Sequence, residues 1–148
     1  MHVRRGDITR QGFTERQLEN AKQFTPLSWF ESMAWTVRGR DSLRSMPIVV
    51  FTDGSPEEVD ALCRIEGVVL HRRATAITDL WTMSRAGILF ASGFSTFSMW
   101  ASFLGGMPTI YAPGKLQQRV QTARADAIEI ELPAGLYIPE FVLERLAL

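Results

Sequence analysis

Pro47-Ile48-Val49-Val50-Phe51-Thr52-Asp53-Gly54-Ser55-Pro56-Glu57-Glu58 is the stretch that decides the fold. Pro47 to Phe51 is a short apolar run with no polar break, the pattern of a strand buried on both faces in a parallel sheet. Thr52-Asp53-Gly54 ends it. Ser55 then caps a helix, Pro56 opens it, and Glu58 stands where its carboxylate can reach back to the cap, which makes a capping box. Val59, Leu62 and Cys63 carry the apolar stripe of that helix, and Gly67 closes it. Strand, acidic turn and helix follow one another within a few residues, so the unit is β–α.

The unit repeats downstream. Val68-Val69-Leu70 reads as a strand ending in His71-Arg72-Arg73, and Thr78-Asp79 starts a helix that runs to Ala86 before Gly87. Ile88 to Ala91 is a further apolar strand, ending in Ser92-Gly93. Ser95-Thr96 begins a helix with Phe97, Trp100, Ala101 and Leu104 at helical spacing, stopped by Gly105-Gly106. Pro108 to Tyr111 is a strand stopped by Pro113-Gly114; a polar stretch compatible with a helix follows. Ile128 to Leu132 alternates as an edge strand does, and Phe141 to Leu148 reads as a closing helix.

Upstream, His2 to Arg5 is the tail of a strand, and a polar loop runs from Gly6 to Phe24. Thr25-Pro26 sets an N-cap with proline at the first helical position. Leu27, Phe30, Met33, Ala34 and Val37 form the stripe of that helix, and Gly39 stops it. Strands alternating with helices predict an α/β fold: a Rossmann-like parallel sheet flanked by helices.

At 148 residues the chain suits one domain, 1–148, with its own core. Hydrophobic residues at 46% and charged residues at 22% exclude a disordered chain. Sixteen basic and sixteen acidic residues cancel, and the lack of a long basic run argues against general nucleic-acid binding. Cys63 is the single cysteine and cannot form an internal disulfide; a core position in a reducing compartment is its expected place. No apolar run approaches the ~20 residues that span a bilayer, and no secretory signal precedes His2. The expected location is cytoplasmic, or peripheral to the inner face of a membrane.

Ligands of such sheets sit beyond the carboxyl ends of the strands. Arg4, Asp7, Asp53, His71 and Ser95-Thr96 all fall there. Paired arginines suit phosphate, because the guanidinium is always charged and its donors match phosphate oxygens in pairs. Side chains alternate along a strand, so His2 and Arg4 share one face while Val3 and Arg5 share the other. The backbone N–H groups and hydroxyls of Ser95 and Thr96 can hold an anion at a helix start, although Ser95 would serve equally as an ordinary N-cap. Trp81, Phe97 and Trp100 are placed by spacing in the core.

His2-Val3-Arg4-Arg5-Gly6-Asp7 resembles the His-x-Arg-Arg-x-Asp signature of the α-1,2- and α-1,6-fucosyltransferases and of the protein O-fucosyltransferases. Asp79-Leu80-Trp81-Thr82-Met83-Ser84, followed by Ser95-Thr96-Phe97-Ser98-Met99-Trp100, is similar to the last conserved block of the α-1,2 enzymes, where an Asp-Leu-x-x-Met-Ser helix leads to Asn-Ser-Thr-Phe-Ser-Trp-Trp. Phe94 stands where that family usually has asparagine, and Met99 where it has the first tryptophan. Phe51-Thr52-Asp53 also resembles the family's strand with an acidic turn.

The resemblance implies the GDP-sugar-binding half of a GT-B-type glycosyltransferase. GDP-fucose would be the donor and a glycan the acceptor, with inversion at the anomeric carbon. It implies donor contacts from His2, Arg4, Arg5, Asp53, Asp79, Ser95, Thr96 and Phe97, with the first arginine at the β-phosphate. Asp79 would accept from guanine N1–H and N2–H; capping of its own helix is the other reading. His2 would touch the nucleoside or support the loop. Arg4 and Ser95 are the candidates for leaving-group stabilisation, and Asp7 for general base or orienter of an arginine. The family signature lies midway along a two-domain enzyme, so an acceptor-side domain ahead of His2 is expected to be missing and the chain alone to transfer little. A non-catalytic nucleotide-sugar-binding fragment or remnant is the alternative.

No Asp-x-Asp motif and no histidine–carboxylate cluster with ligand spacing is present in the sequence, so neither a metal nor another cofactor is expected. A Walker-type loop is absent as well. A response-regulator-like domain would need an acidic cluster and a lysine at strand ends, and only Asp53 and Lys115 are on offer.

Overall fold

Most of the apolar runs become strands buried on both faces, while edge strand Val68–Leu70 leaves Val69 exposed. A computed structural model of the chain describes residues 1–6, 14, 21, 23–72 and 74–146. In chain order it has β1 (His2–Val3), α1 (Leu27–Arg38), β2 (Ile48–Thr52), a 3-10 turn (Pro56–Val59) leading into α2 (Asp60–Cys63), and β3 (Val68–Leu70). Then come α3 (Ala76–Ser84), β4 (Leu89–Ala91), α4 (Thr96–Gly105), β5 (Thr109–Tyr111), β6 (Glu129–Glu131) and α5 (Glu140–Glu144). The strands form one six-stranded sheet in the order β3-β2-β1-β4-β5-β6, and every neighbouring pair is parallel.

Strand alternation divides the core into two layers. Val3, Ile48, Val50, Phe90 and Ile110 point to one face, where Trp29, Phe30 and Met33 of α1, Leu62 of α2 and Val142 of α5 cover them. Phe51, Leu89, Ala91 and Tyr111 point to the other, against Met83 of α3 and Ala101 of α4. Helices on both faces are what permit strands with no polar side. No helix among the described residues is long and apolar enough to cross a membrane.

The strand order matters for function. From β1 the chain steps outward to β2 and β3, then returns to pair β4 with the other edge of β1, with His2 opposite both Phe51 and Ala91. This is the order of the doubly wound Rossmann sheet, and the crevice between β1 and β4 is its switch point, the place where such sheets take ligands.

Several local expectations are corrected. Pro26, not Thr25, is the N-cap of α1. Thr25 instead turns inward, fully buried; its hydroxyl accepts from Gly93 N–H at 3.0 Å and its carbonyl accepts from Arg5 Nη1 at 2.9 Å. Helix α3 begins earlier than Thr78, capped by the Thr75 hydroxyl, so Asp79 lies in its first turn and is not the cap. Residues 115–127 are not helical. They are tied down by a buried carboxylate: Glu129 Oε2 accepts from Val120 and Gln121 N–H at 2.8 and 2.9 Å. Glu129 thus turns inward from edge strand β6, where alternation alone would have put both its glutamates in water.

Trp81 and Trp100 are not core residues; they are 62% and 56% exposed. The buried face of α4 is the small-residue face of Ser98, Ala101 and Ser102. Close packing explains it: a Cβ added at Gly105 would stand 2.1 Å from the Ser84 carbonyl oxygen, so the ends of α3 and α4 meet backbone to backbone and leave no room for indoles. Cys63 is half-buried and packs against the first core layer.

Candidate functional site

At the carboxyl end of β1 the chain is held from both sides. On the β4 side, the Ser92 hydroxyl accepts from Arg4 N–H at 2.9 Å and donates to the His2 carbonyl at 3.0 Å. On the β2 side, Asp53 Oδ1 accepts from the N–H groups of Arg5 and Gly6 at 2.7 and 3.0 Å. The approach there leaves no space for side chains. A Cβ at Gly6 would lie 2.6 Å from the Asp53 carbonyl oxygen, and one at Gly54 would lie 2.6 Å from Arg5 Cβ. The strand therefore ends in a fixed backbone, and the two arginines leave it in fixed directions.

Arg5 goes to the α1 side. It is only 4% exposed, its Nη1 donates to the carbonyls of Arg4 and Thr25, and its guanidinium lies 4.8 Å over the Phe24 ring. Burial lowers its pKa, with Glu58 and Asp53 pulling the other way. Arg4 goes to the α4 side, half-buried, and its Nη1 donates to the Phe94 carbonyl at 3.3 Å.

A cavity of about 540 Å³ opens beside Arg4. Its wall brings together His2, Arg4, Asp53, Asp79, Ser95, Thr96 and Phe97, with Phe51, Thr52, Ala74 and Ala76 completing it. Of the residues singled out in the sequence, Arg5 and His71 are not among the lining residues, and Asp7 lies outside the described residues. The contributing elements are β1, the β2 turn, α3 and the start of α4, so the cavity spans the switch point.

His2 is buried at the cavity wall. Its Nδ1 is 2.6 Å from the Ser98 hydroxyl, and its ring stands 5.4 Å from that of Phe97. Burial drives its pKa from 6.5 down to about 4; Asp53 opposes this, while the N-terminal amine and Arg4 add to it. The imidazole is therefore neutral at pH 7 and offers a hydrogen bond rather than a charge.

Ser95 is the N-cap of α4, its hydroxyl accepting from Ser98 N–H at 3.3 Å. Capping by Ser95 does not remove the end of the helix from the cavity, because Thr96, its first residue, also lines the wall. A helix start carries a partial positive charge that favours anions. The Arg4 guanidinium, bonded to the Phe94 carbonyl just before this helix, lines the same wall, and the two together suit a phosphate group. Asp79, in the first turn of α3, also lines the wall, and its carboxylate accepts hydrogen bonds and donates none. Phe94, in the turn between, has φ +52°, a left-handed conformation that side chains other than glycine and asparagine adopt at a cost.

Sequence reasoning missed one contributor and one partnership. Ser92 closes a strand and was given no role of its own, because its bridge between β1 and β4 has no sequence signal. His71 was visible at a strand end, but its partner was not: His71 Nε2 lies 2.9 Å from Asp79 Oδ1. Among the described residues no cluster of three or more His, Cys, Asp or Glu side chains is placed to hold a metal ion. Comparisons with protein-family models, with curated proteins and with solved structures return no significant match. The reading of this site therefore rests on its geometry and on the motifs.

Proposed function

We propose that this chain is the donor-binding domain of a fucosyltransferase-like glycosyltransferase of the GT-B type, taking GDP-fucose and serving inverting transfer of fucose to a glycan hydroxyl. The observation that supports this reading is the convergence of His2, Arg4, Asp79, Ser95 and Thr96, from distant parts of the chain, on one cavity at the switch point. Anion-favouring groups and an acceptor-only carboxylate lining one cavity, with a neutral imidazole and an aromatic ring, suit a nucleoside diphosphate whose base carries adjacent N–H donors. Guanine has that pair at N1 and N2.

In this reading the pyrophosphate lies between Arg4 and the start of α4. Negative charge develops on the β-phosphate as the glycosidic bond to fucose breaks, and preorganised positive groups stabilise it most when it is fully formed. Arg4 and the α4 dipole would thus do the work that a divalent metal does in enzymes with an Asp-x-Asp motif. Asp53 and Ser92 contribute by fixing the backbone from which Arg4 departs. Asp7 remains the candidate for general base.

Calorimetric titration with GDP, ADP, UDP and CDP in excess chelator tests the proposal. GDP is expected to bind at least about tenfold tighter than the other three, with no dependence on divalent metal. Equal affinities would remove Asp79 as the base reader, and binding that requires added metal would overturn the role given to Arg4.

A further inference from the structure

We infer that His71 is a positioning residue that sets the base specificity of the cavity through Asp79. The inference rests on the proposed reading of Asp79 as the guanine acceptor and deepens it. His71 does not line the cavity; it stands behind the wall. Its backbone is fixed, because His71 N–H donates to the Val50 carbonyl at 2.8 Å and so continues the β3–β2 ladder one step past the end of β3. Its ring is fixed too, packed at 4.3 Å on Phe51, itself a wall residue. From this rigid seat Nε2 reaches Asp79 Oδ1 at 2.9 Å.

An ionised carboxylate cannot donate, so the proton in this bond belongs to His71 Nε2. The bond takes one position on Oδ1. Among the described residues Oδ2 of Asp79 has no hydrogen-bond partner, and Asp79 lines the cavity. A carboxylate without the bond to His71 would rotate about its side-chain torsions, whose sp2 end is broad and soft. One held at Oδ1 presents its remaining acceptor positions in one plane. Two adjacent N–H donors on a base need that fixed plane; a base with a single donor gains less from it. His71 therefore acts on discrimination between bases more than on affinity for the diphosphate.

Three variants of the full chain test this, each titrated with GDP and ADP and followed by thermal melting. His71→Gln keeps an N–H donor at about the reach of Nε2. His71→Phe keeps the ring on Phe51 and removes the donor. His71→Asn is polar but too short to reach Asp79, and serves should the phenylalanine variant fold poorly. We expect the ratio of ADP to GDP dissociation constants to fall about tenfold in the Phe and Asn variants, ADP affinity to stay unchanged, and Gln to retain most of the wild-type ratio. An unchanged ratio in both the Phe and Asn variants overturns the inference, and so does a Gln variant that loses the ratio as fully as they do. A wild-type protein with no preference for GDP overturns the reading beneath it, a result distinct from either.

Discussion

Arg4 and Arg5 are consecutive in the chain, yet they leave β1 on opposite sides of the sheet, and Arg5 Nη1 donates to the carbonyl of Arg4 itself at 3.1 Å. One arginine faces the cavity and the other braces the peptide that carries it. Two identical side chains thus have different expected phenotypes. Arg4→Ala should weaken GDP binding about tenfold or more, since a charge-assisted hydrogen bond contributes about 1.5–3 kcal/mol, with little change in melting temperature. Lysine at position 4 should restore only part of it, lacking the paired donors. Arg5→Ala should lower stability first, because it strips the Thr25 carbonyl of a buried donor. Melting and GDP titration of both variants decide it; binding lost with stability intact in Arg5→Ala, and not in Arg4→Ala, would reverse the assignment.

The buried His2 predicts an acid limb of stability. Its pKa falls from 6.5 unfolded to about 4 folded. Between those values the unfolded chain binds the extra proton, so the His2 contribution to stability is full above about pH 6.5 and is lost as pH drops toward 4. The whole drop from this group is on the order of 3 kcal/mol. Urea melts at pH 7, 6, 5 and 4 read it directly. In His2→Gln, which keeps a polar partner for Ser98 and cannot titrate, the decline over this window should shrink; an identical decline in both proteins would assign it to other groups.

Gly6 predicts a different kind of failure. Alanine there would bring its Cβ to 2.6 Å from the Asp53 carbonyl oxygen, inside any real contact distance, and backbone cannot move aside as a flexible side chain does. Gly6→Ala should separate the ends of β1 and β2, lengthening the bonds from Arg5 and Gly6 N–H to Asp53. The expected result is lower stability together with weaker GDP binding, since Arg4 departs from the same backbone. Gly114→Ala is the control: nothing lies near it, although its φ of +70° carries its own strain cost. GDP affinity retained in Gly6→Ala would show that the close approach does not position the site.

These residues also show how much was legible beforehand. Ile48–Thr52 announces itself because five consecutive residues tolerate burial on two faces, and the same logic reads β4 and β5. Alternation along β1 separated Arg4 from Arg5 correctly, because a strand period of two needs no tertiary knowledge. Where the reading failed, tertiary packing overrode local pattern. Trp100 sits on an apolar stripe by spacing, but the close approach at Gly105 gave the buried face to Ser98, Ala101 and Ser102. Thr25 has the chemistry of a cap, and Gly93, distant in sequence, took its hydroxyl. The His71–Asp79 bond joins a strand end to the first turn of a helix, and no spacing rule pairs such positions.

Phe94 gives the last test, and it concerns the turn that delivers α4 to the cavity. Its φ of +52° is the one left-handed value among the described residues other than glycine. Strain of this kind costs about 1–3 kcal/mol and persists only where the surroundings impose it. The neighbours are plain: the Phe94 carbonyl accepts from Arg4, and Ser95 directly after it caps α4. Asparagine tolerates this conformation and valine does not, because branching at Cβ crowds the backbone. Both Phe94→Asn and Phe94→Val remove the ring, so comparing them isolates the backbone term. Phe94→Val should be less stable than Phe94→Asn by about 1–2 kcal/mol, and should bind GDP more weakly if the turn relaxes and carries Arg4's acceptor with it. Equal melting temperatures would mean that the turn can re-form without the left-handed residue, and that the start of α4 is held by the Ser95 cap and the Ser98–His2 bond alone.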